Sequence, residues 1–271
     1  MVTIPKKNLS DGNEIPLLGL GTWQMEKDAC LKAIPMALEL GYRAIDTAYA
    51  YYNEKFIGKA IKGFPREKLF ITSKLWREFH EPNKVENICD TSLKDLGTDH
   101  LDLYLIHWPE KKNMVAILEQ MHRLKEKGKI KSVGISNATV GHLRELIKQK
   151  VPITNNQVEF HPFLNQMRLL NFCDENHISV TAYSPIARGT VTNELTLVEI
   201  GKKHNKTPPQ VSLRWLLQKG IIVIPKAFSK VHLKENLDVF DFSLTVDEME
   251  RINAIDRNHR MVLPDFHEFH E

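Results

Sequence analysis

Residues 101–109 read Leu101-Asp102-Leu103-Tyr104-Leu105-Ile106-His107-Trp108-Pro109. Leu101, Leu103, Leu105 and Ile106 crowd into six residues. That run is too short for a buried helix and suits a strand covered on both faces, as in a parallel sheet with helices on either side. A histidine, a tryptophan and a proline follow at its C-terminal end.

Short runs of this kind recur to either side. With Leu101–His107, the segments Leu17–Gly21, Arg43–Thr47, Leu69–Lys74, Lys131–Ser136, Asn155–Glu159, Ser179–Tyr183 and Ile221–Ile224 make eight predicted strands. Segments of helical period lie between and after them: Asp28–Leu40, a helix opening at Asn53, Val85–Leu96, Met114–Lys127, Val140–Lys148, Arg168–Asn176, Pro208–Lys219, Val231–Leu237 and Val246–Ile255. Gly41 is placed to stop the first helix, and Pro35 inside it predicts a kink or a late start. Asn53 reads as an N-cap. Thr245, with Glu248 three residues on, reads as a capping box. Val2–Ile4 and Ile15–Leu18 flank the turn Ser10-Asp11-Gly12-Asn13 and predict an N-terminal β-hairpin.

Strand and helix alternating eight times imply a parallel sheet with right-handed crossovers. Eight units close into a (β/α)8 TIM barrel, which takes about 250 residues as one domain. The chain has 271 and no Pro/Gly/Ser-rich linker, so residues 1–271 read as a single barrel domain with an N-terminal hairpin, a short C-terminal helix and a tail. The rival is an open doubly wound sheet. Its best support is Gly19-Leu20-Gly21-Thr22-Trp23-Gln24, but the last glycine of a GxGxxG fingerprint is missing there.

Composition narrows the function. Lys plus Arg is 37 against 34 for Asp plus Glu, a net charge of +3, which argues against a nucleic-acid partner. The clusters Lys125, Lys127, Lys129, Lys131 and Lys202, Lys203, Lys206 border predicted helices and read as solvated faces. Cys30, Cys89 and Cys173 are odd in number and widely spaced, as free thiols in a reducing compartment are. Residues 1–11 are polar and do not read as a signal peptide. No run reaches the roughly 18 apolar residues of a membrane span. A cytoplasmic monomer without a membrane partner is expected. The HxxH spacing of His267-Glu268-Phe269-His270 lies in a polar tail, and no metal site is expected.

In a barrel of this kind the reactive face lies at the C-terminal ends of the strands. That rim collects Gly21, Thr22 and Trp23; Asp46 and Tyr51; Lys74; His107 and Trp108; Ser136 and Asn137; Gln157; Tyr183 and Ser184; and Lys226. Taken singly, each has a structural explanation: Asp46 and Lys74 an ion pair, His107 a core histidine, Tyr51 a loop aromatic. Four titratable groups converging on one rim point to a site.

These residues sit in ordered motifs. Gly41-Tyr42-Arg43-Ala44-Ile45-Asp46-Thr47-Ala48 with Tyr51 and Asn53-Glu54 is followed by Thr72-Ser73-Lys74-Leu75-Trp76 and Leu105-Ile106-His107-Trp108-Pro109. Then come Val133-Gly134-Ile135-Ser136-Asn137, Asn156-Gln157-Val158-Glu159, Ala182-Tyr183-Ser184-Pro185 and Ile224-Pro225-Lys226. Over residues 14–260 the pattern resembles the aldo-keto reductases, most of all the bacterial type that includes the diketogluconate reductases. The resemblance implies an NAD(P)H-dependent oxidoreductase acting on a small carbonyl compound. It makes Asp46, Tyr51, Lys74 and His107 catalytic. It gives the cofactor Gly21, Thr22, Ser136, Asn137, Gln157, Tyr183, Ser184, Lys226, His232, Glu235 and Asn236, with Tyr183 stacked on the nicotinamide and Lys226 at the 2'-phosphate. Trp23, Trp76, His107 and Trp108 would wall the substrate pocket.

The chemistry explains those residue types. Negative charge develops on the carbonyl oxygen as hydride adds to its carbon, so a proton donor must lie within hydrogen-bond reach. Tyr51 is the expected acid, Lys74 the ammonium that lowers its pKa, Asp46 the partner of Lys74, and His107 the donor that orients the carbonyl.

Three positions depart from the family pattern: His232 stands for Arg, Ala227 for Ser, and Ala138 for Phe. The first two remove contacts to a 2'-phosphate, so NADPH with some use of NADH is expected. The short stretch after Pro109 and the short tail predict an open pocket. A reductase-like barrel that holds nucleotide as a sensor or partner subunit is the main alternative, and loss of one of the four catalytic residues would favour it. A non-redox barrel enzyme with a phosphate site at Lys226 is a third.

Overall fold

The computed structural model describes residues 3–110 and 112–266. The chain opens with β1 (Lys6–Asn8) and β2 (Glu14–Pro16), an antiparallel hairpin. Then come β3 (Leu20–Gly21), α1 (Lys27–Leu40), β4 (Ala44–Asp46), α2 (Glu54–Ile61), β5 (Phe70–Leu75), α3 (Val85–Leu96), β6 (Leu101–Ile106), α4 (Met114–Glu126), β7 (Ile130–Ser136) and α5 (Val140–Lys148). The second half runs β8 (Asn155–Glu159), α6 (Met167–Glu175), β9 (Ser179–Tyr183), α7 (Leu195–His204), α8 (Pro208–Gln218), β10 (Ile222–Val223), α9 (Lys230–Leu237) and α10 (Val246–Asn253).

Strands β3 to β10 pair in sequence order, all parallel. A parallel bridge between Leu18 and Val223 joins the first strand to the last. Gly19 N donates to Val223 O at 2.9 Å and Val223 N to Leu17 O at 2.9 Å. The fold is therefore a TIM barrel, with each barrel strand neighboured on both sides.

Its apolar residues divide into two clusters. One fills the space between sheet and helices, from Ile4 through Leu101, Ile106 and Trp215 to Ile255. The other packs Leu9, Ile15, Ala44, Phe70, Leu103, Leu105 and Ile222 together. From Leu103 onward, alternate residues of β6 serve the two clusters, Tyr104 and Ile106 in one and Leu103 and Leu105 in the other. The hairpin contributes Leu9 and Ile15 to the smaller cluster. A buried leucine such as Leu103 cut to alanine would cost about 2–5 kcal/mol.

The structure corrects several local expectations. The hairpin's first arm is Lys6–Asn8, not Val2–Ile4. The turn sets the register, with Leu9 N bonded to Asn13 O at 2.8 Å and Asn8 opposite Glu14. Extended in that register, residues 2–4 would face 18–20, which belong to the barrel wall instead. Helix α1 starts at Lys27 and runs unbroken through Pro35, so no late start occurs. The bond that Pro35 cannot make would have gone to the carbonyl of Leu31, a residue on the exposed side of the helix. Gly41 ends α1 at φ 111, a left-handed cap that a Cβ would strain. Asn53 precedes α2 but makes no side-chain cap; its amide is used elsewhere. Helix α7 was not anticipated. Only Leu197, Ile200 and Gly201 of its ten residues are buried, so its apolar stripe is narrow.

Both lysine clusters meet acids. Lys127 and Lys129 bond Glu86, Lys129 also Asp90, Lys125 Asp11, and Lys206 both Asp238 and Asp241. Cys30, Cys89 and Cys173 are buried free thiols. Among the described residues no helix is long and apolar enough to cross a membrane. No group of three or more potential metal ligands occurs among them either; His267 and His270 lie outside the described residues.

Candidate active site

Asp46 ends β4, Lys74 lies one residue from the end of β5, and His107 follows β6. Tyr51 closes a single 3-10 turn, Tyr49–Tyr51, after β4. Asn53 fixes that turn. Its Nδ2 donates to Thr22 O at 2.9 Å and its Oδ1 accepts from Thr47 Oγ1 at 2.7 Å. The side chain expected to cap α2 thus ties the Tyr51 segment to the rim above β3.

The four expected catalytic residues come together. Lys74 Nζ lies 2.5 Å from Asp46 Oδ1, 2.8 Å from Thr47 O and 3.5 Å from Tyr51 Oη. Lys74 and Asp46 are both buried. The ring of Tyr51 meets that of His107 edge-on, with centroids 5.6 Å apart. Burial alone would strip the ammonium of its charge; Asp46 at hydrogen-bond distance opposes this.

Two protonation states follow. Burial, then the Lys74 charge, then His80 hold His107 well below the ordinary imidazole value of 6.5, so it is neutral at pH 7. Its Nδ1 is buried without a hydrogen-bond partner. Burial, then the Asp46 carboxylate, push the Tyr51 phenol well above 10.0. Desolvation and Asp46 thus favour the protonated phenol, and the Lys74 ammonium expected to lower its pKa stands 3.5 Å away.

A second polar row lies beside this cluster. Asn137, at φ 61, donates from Nδ2 to His107 O at 3.0 Å and accepts at Oδ1 from Tyr183 Oη at 2.8 Å. Ser136 Oγ donates to Gln157 O at 2.8 Å, and Gln157 Nε2 donates to Asp46 Oδ2 at 2.6 Å. Thr22 and Gly21 serve the barrel. Thr22 Oγ1 donates to Asp46 O at 2.8 Å. A Cβ on Gly21 would stand 2.6 Å from Ile224 O, so the close approach of the segment after β10 requires glycine there. Ser184 starts the loop after β9 at φ 49.

Farther round the rim, Lys226 Nζ lies 5.6 Å from the ring centre of Trp23. On α9, His232 Nδ1 is 3.0 Å from Glu235 Oε2, and Glu235 Oε1 accepts from Thr207 Oγ1 at 2.5 Å. Asn236 is buried in the same helix. A row of buried amides and a hydroxyl beside Tyr183, followed by a cation and then by α9, has the donor set for a nicotinamide dinucleotide: polar groups for an amide at one end, positive charge for phosphate beyond.

The aromatic wall is fuller than expected. Trp76 stands 5.2 Å from His107, and Trp108 stacks on His107 at 6.3 Å. Phe266 from the tail packs edge-on against Trp108 at 5.6 Å and Trp76 at 6.1 Å, with Arg77 4.2 Å over its ring. The tail therefore reaches the pocket that its length implied was open. Glu159 anchors it: that buried carboxylate accepts from Met261 N at 2.6 Å, Val262 N at 3.0 Å and His161 Nε2 at 2.9 Å. Neither Phe266 nor this anchor carries a periodic signal that sequence reading could find.

A sequence profile described as the aldo/keto reductase family matches residues 17–257. The 9,11-endoperoxide prostaglandin H2 reductase of Trypanosoma cruzi (strain CL Brener) is 41% identical over 260 residues, covering 93% of this chain and 92% of that one. The glyoxal reductase of Bacillus subtilis (strain 168) is 40% identical over 257 residues, covering 93% of each. Among solved structures, an aldo-keto reductase complexed with NADPH superposes with a TM-score of 0.93 at 34% identity, covering 97% of this chain and 91% of that one.

Proposed function

This chain belongs to the aldo/keto reductase family, and from that premise we propose that it reduces small aldehydes and ketones to alcohols with Tyr51 as the proton donor. It is an NAD(P)H-dependent oxidoreductase, and NADPH is its cofactor. The observation that carries the rest is the buried chain of contacts Asp46–Lys74–Tyr51, at 2.5 and 3.5 Å, with His107 against Tyr51.

Bound NADPH supplies the hydride. Tyr51, held protonated, donates its proton to the carbonyl oxygen as charge develops there. Lys74 then faces the phenolate and stabilises it, while Asp46 keeps Lys74 charged. Neutral His107 offers a hydrogen bond that fixes the carbonyl oxygen near Tyr51. Ser136, Asn137, Gln157 and Tyr183 hold the nicotinamide end. Lys226, with Ser184 and the α9 residues His232, Glu235 and Asn236, holds the remainder.

Trp76, Trp108 and Phe266 form an apolar wall beside the reacting groups, whereas Trp23 lies against Lys226. This favours small or aromatic aldehydes over bulky ketones, and the glyoxal reductase similarity adds small dicarbonyls to that class. The whole of residues 1–271 acts as one domain and as a monomer, in a reducing cytoplasm that suits three buried free thiols. The test is reduced-nicotinamide absorbance loss with a panel of glyoxal, methylglyoxal, aromatic aldehydes, keto sugars and steroid ketones, for wild type and Tyr51→Phe. Turnover by Tyr51→Phe equal to wild type would remove the assignment.

A further inference from the structure

Glu54 opens α2 and is buried, yet it stands outside the four reacting residues. Its Oε1 accepts from Ser73 Oγ at 2.5 Å. Ser73 immediately precedes Lys74 on β5. Successive residues of a strand face opposite sides of the sheet. Lys74 shares the face of Phe70, which packs in the smaller apolar cluster, so Ser73 turns to the helix layer. Glu54 therefore stands behind the strand that carries the ammonium, and its bond fixes that strand at the residue before Lys74. Asn53, next to Glu54, is bonded to Thr22 and Thr47. One short stretch of chain thus ties Tyr51 to the rim and β5 to α2.

A charge in this layer is costly. Tyr104, opposite Ser73 on β6, belongs to the apolar cluster between sheet and helices, with Ile57, Cys89 and Leu93. Burial keeps the Tyr104 phenol and the Cys89 thiol neutral. Burial first, and also Asp95 of α3, push the Glu54 carboxyl up; the Ser73 hydroxyl and the Lys74 charge oppose them. As an acceptor for Ser73 alone, a neutral amide would serve as well as an acid. On the other side of β5, Lys74 faces Asp46 at 2.5 Å, Tyr51 at 3.5 Å and the neutral His107. Asp46 is shared with Gln157. A single shared carboxylate thus confronts an ammonium that burial works to discharge.

We propose that Glu54 is a positioning residue for the reduction, a second carboxylate that braces β5 through Ser73 and joins Asp46 in keeping Lys74 an ammonium. This rests on the reading of Lys74 as the group that stabilises the Tyr51 phenolate. The N-terminus of α2 favours negative charge on its first residue. Glu54 lies on the helix side of the sheet, away from the row proposed for the nicotinamide, so it acts on the rate and its pH dependence and not on cofactor affinity.

The pH profile of kcat for the full chain, with NADPH and an aromatic aldehyde, tests this. Glu54→Gln keeps an acceptor for Ser73 and removes the charge. Loss of a nearby negative charge lowers the pKa of an amine, which is charged only below that value. The alkaline limb in Glu54→Gln should therefore move to lower pH, by less than in Asp46→Asn, and kcat on that limb should fall severalfold. The NADPH dissociation constant should match wild type. Glu54→Asp, which keeps the charge, should return the limb toward wild type. Glu54→Met, apolar and of similar length, supplies the same comparison if the glutamine variant does not fold, as circular dichroism reads. A profile that overlays wild type would overturn the proposal. So would a kcat lowered by one factor at every pH, which makes Glu54 a structural brace alone. Full activity in Lys74→Met would instead remove the reading of Lys74 itself, a result that Glu54→Gln alone does not give.

Discussion

Gln157 Nε2 lies 2.6 Å from Asp46 Oδ2, so the two oxygens of one buried carboxylate are divided between Lys74 and Gln157. Gln157 sits in the row proposed for the nicotinamide amide, and Asp46 in the catalytic cluster. The two halves of the site are therefore one hydrogen-bonded unit. Gln157→Leu should leave Asp46 Oδ2 without its partner and lower stability by about 1–3 kcal/mol. It should weaken cofactor binding and turnover together. Chemical denaturation, dissociation constants and kcat on the same preparation check this; loss of affinity with kcat unchanged would uncouple the two halves.

Tyr51 is the proposed proton donor. Tyr51→Phe should lower kcat by about 10²–10⁴-fold, the usual contribution of general acid catalysis, with NADPH binding retained. Steady-state rates alongside fluorescence titration separate the two effects.

Lys74 is pulled down by burial and pushed back by Asp46, then by Glu54. An amine is charged below its pKa, so Asp46→Asn leaves the ammonium to titrate at lower pH. The alkaline limb of the rate profile should move to lower pH in that variant. Lys74→Met removes the charge altogether and should cost more activity than Asp46→Asn. Losing one partner of a buried pair should also destabilise the fold by about 3–5 kcal/mol. A wild-type pH profile in Asp46→Asn would show that the pair is structural only.

His107 is held well below 6.5 by burial first and then by Lys74. The unfolded chain therefore takes up this proton before the folded one does. Stability from this group is fully present above 6.5 and is lost as pH falls through the folded value. Neither kcat nor thermal stability should show a His107 step between pH 8 and 6.5. In His107→Asn the acid-side loss of stability should shrink; an undiminished loss would place the titrating group elsewhere.

Much of this site was legible in the sequence because strand ends in a barrel are fixed by periodicity. Once Leu101, Leu103, Leu105 and Ile106 make a strand, His107 must stand at its C-terminal end, and the same holds for Asp46 at the end of β4. What periodicity does not reach was missed. Asn53 looked like a cap because Asn is a good one, yet tertiary contacts with Thr22 and Thr47 claim its amide. The burial that raises Tyr51 depends on packing from several strands, which local sequence does not reveal.

The tail offers a test of specificity. Phe266 closes the wall made by Trp76 and Trp108, and Glu159 holds the tail through Met261 N and Val262 N. Phe266→Ala should raise KM for small aldehydes several-fold and raise kcat/KM for bulky ketones, leaving NADPH affinity unchanged. Glu159→Ala should act in the same direction through loss of the anchor. A ratio of bulky to small substrates that stays constant in both variants would show that the tail does not shape the pocket.

His232 bears on the choice between cofactors. Its Nδ1 pairs with Glu235 Oε2 at 3.0 Å on an exposed stretch of α9, where the family pattern has an arginine. An imidazole has a short reach; a guanidinium is always charged and matches phosphate with a planar fork. One charge-assisted contact is worth about 1.5–3 kcal/mol, or roughly 10–100-fold in affinity. Lys226 remains, so wild type should prefer NADPH modestly. His232→Arg should raise NADPH affinity toward the lower end of that range, since Glu235 competes for the new guanidinium, and leave NADH nearly unchanged. Dissociation constants for both cofactors in wild type and His232→Arg check it. NADPH affinity unchanged by His232→Arg would move 2'-phosphate recognition away from position 232.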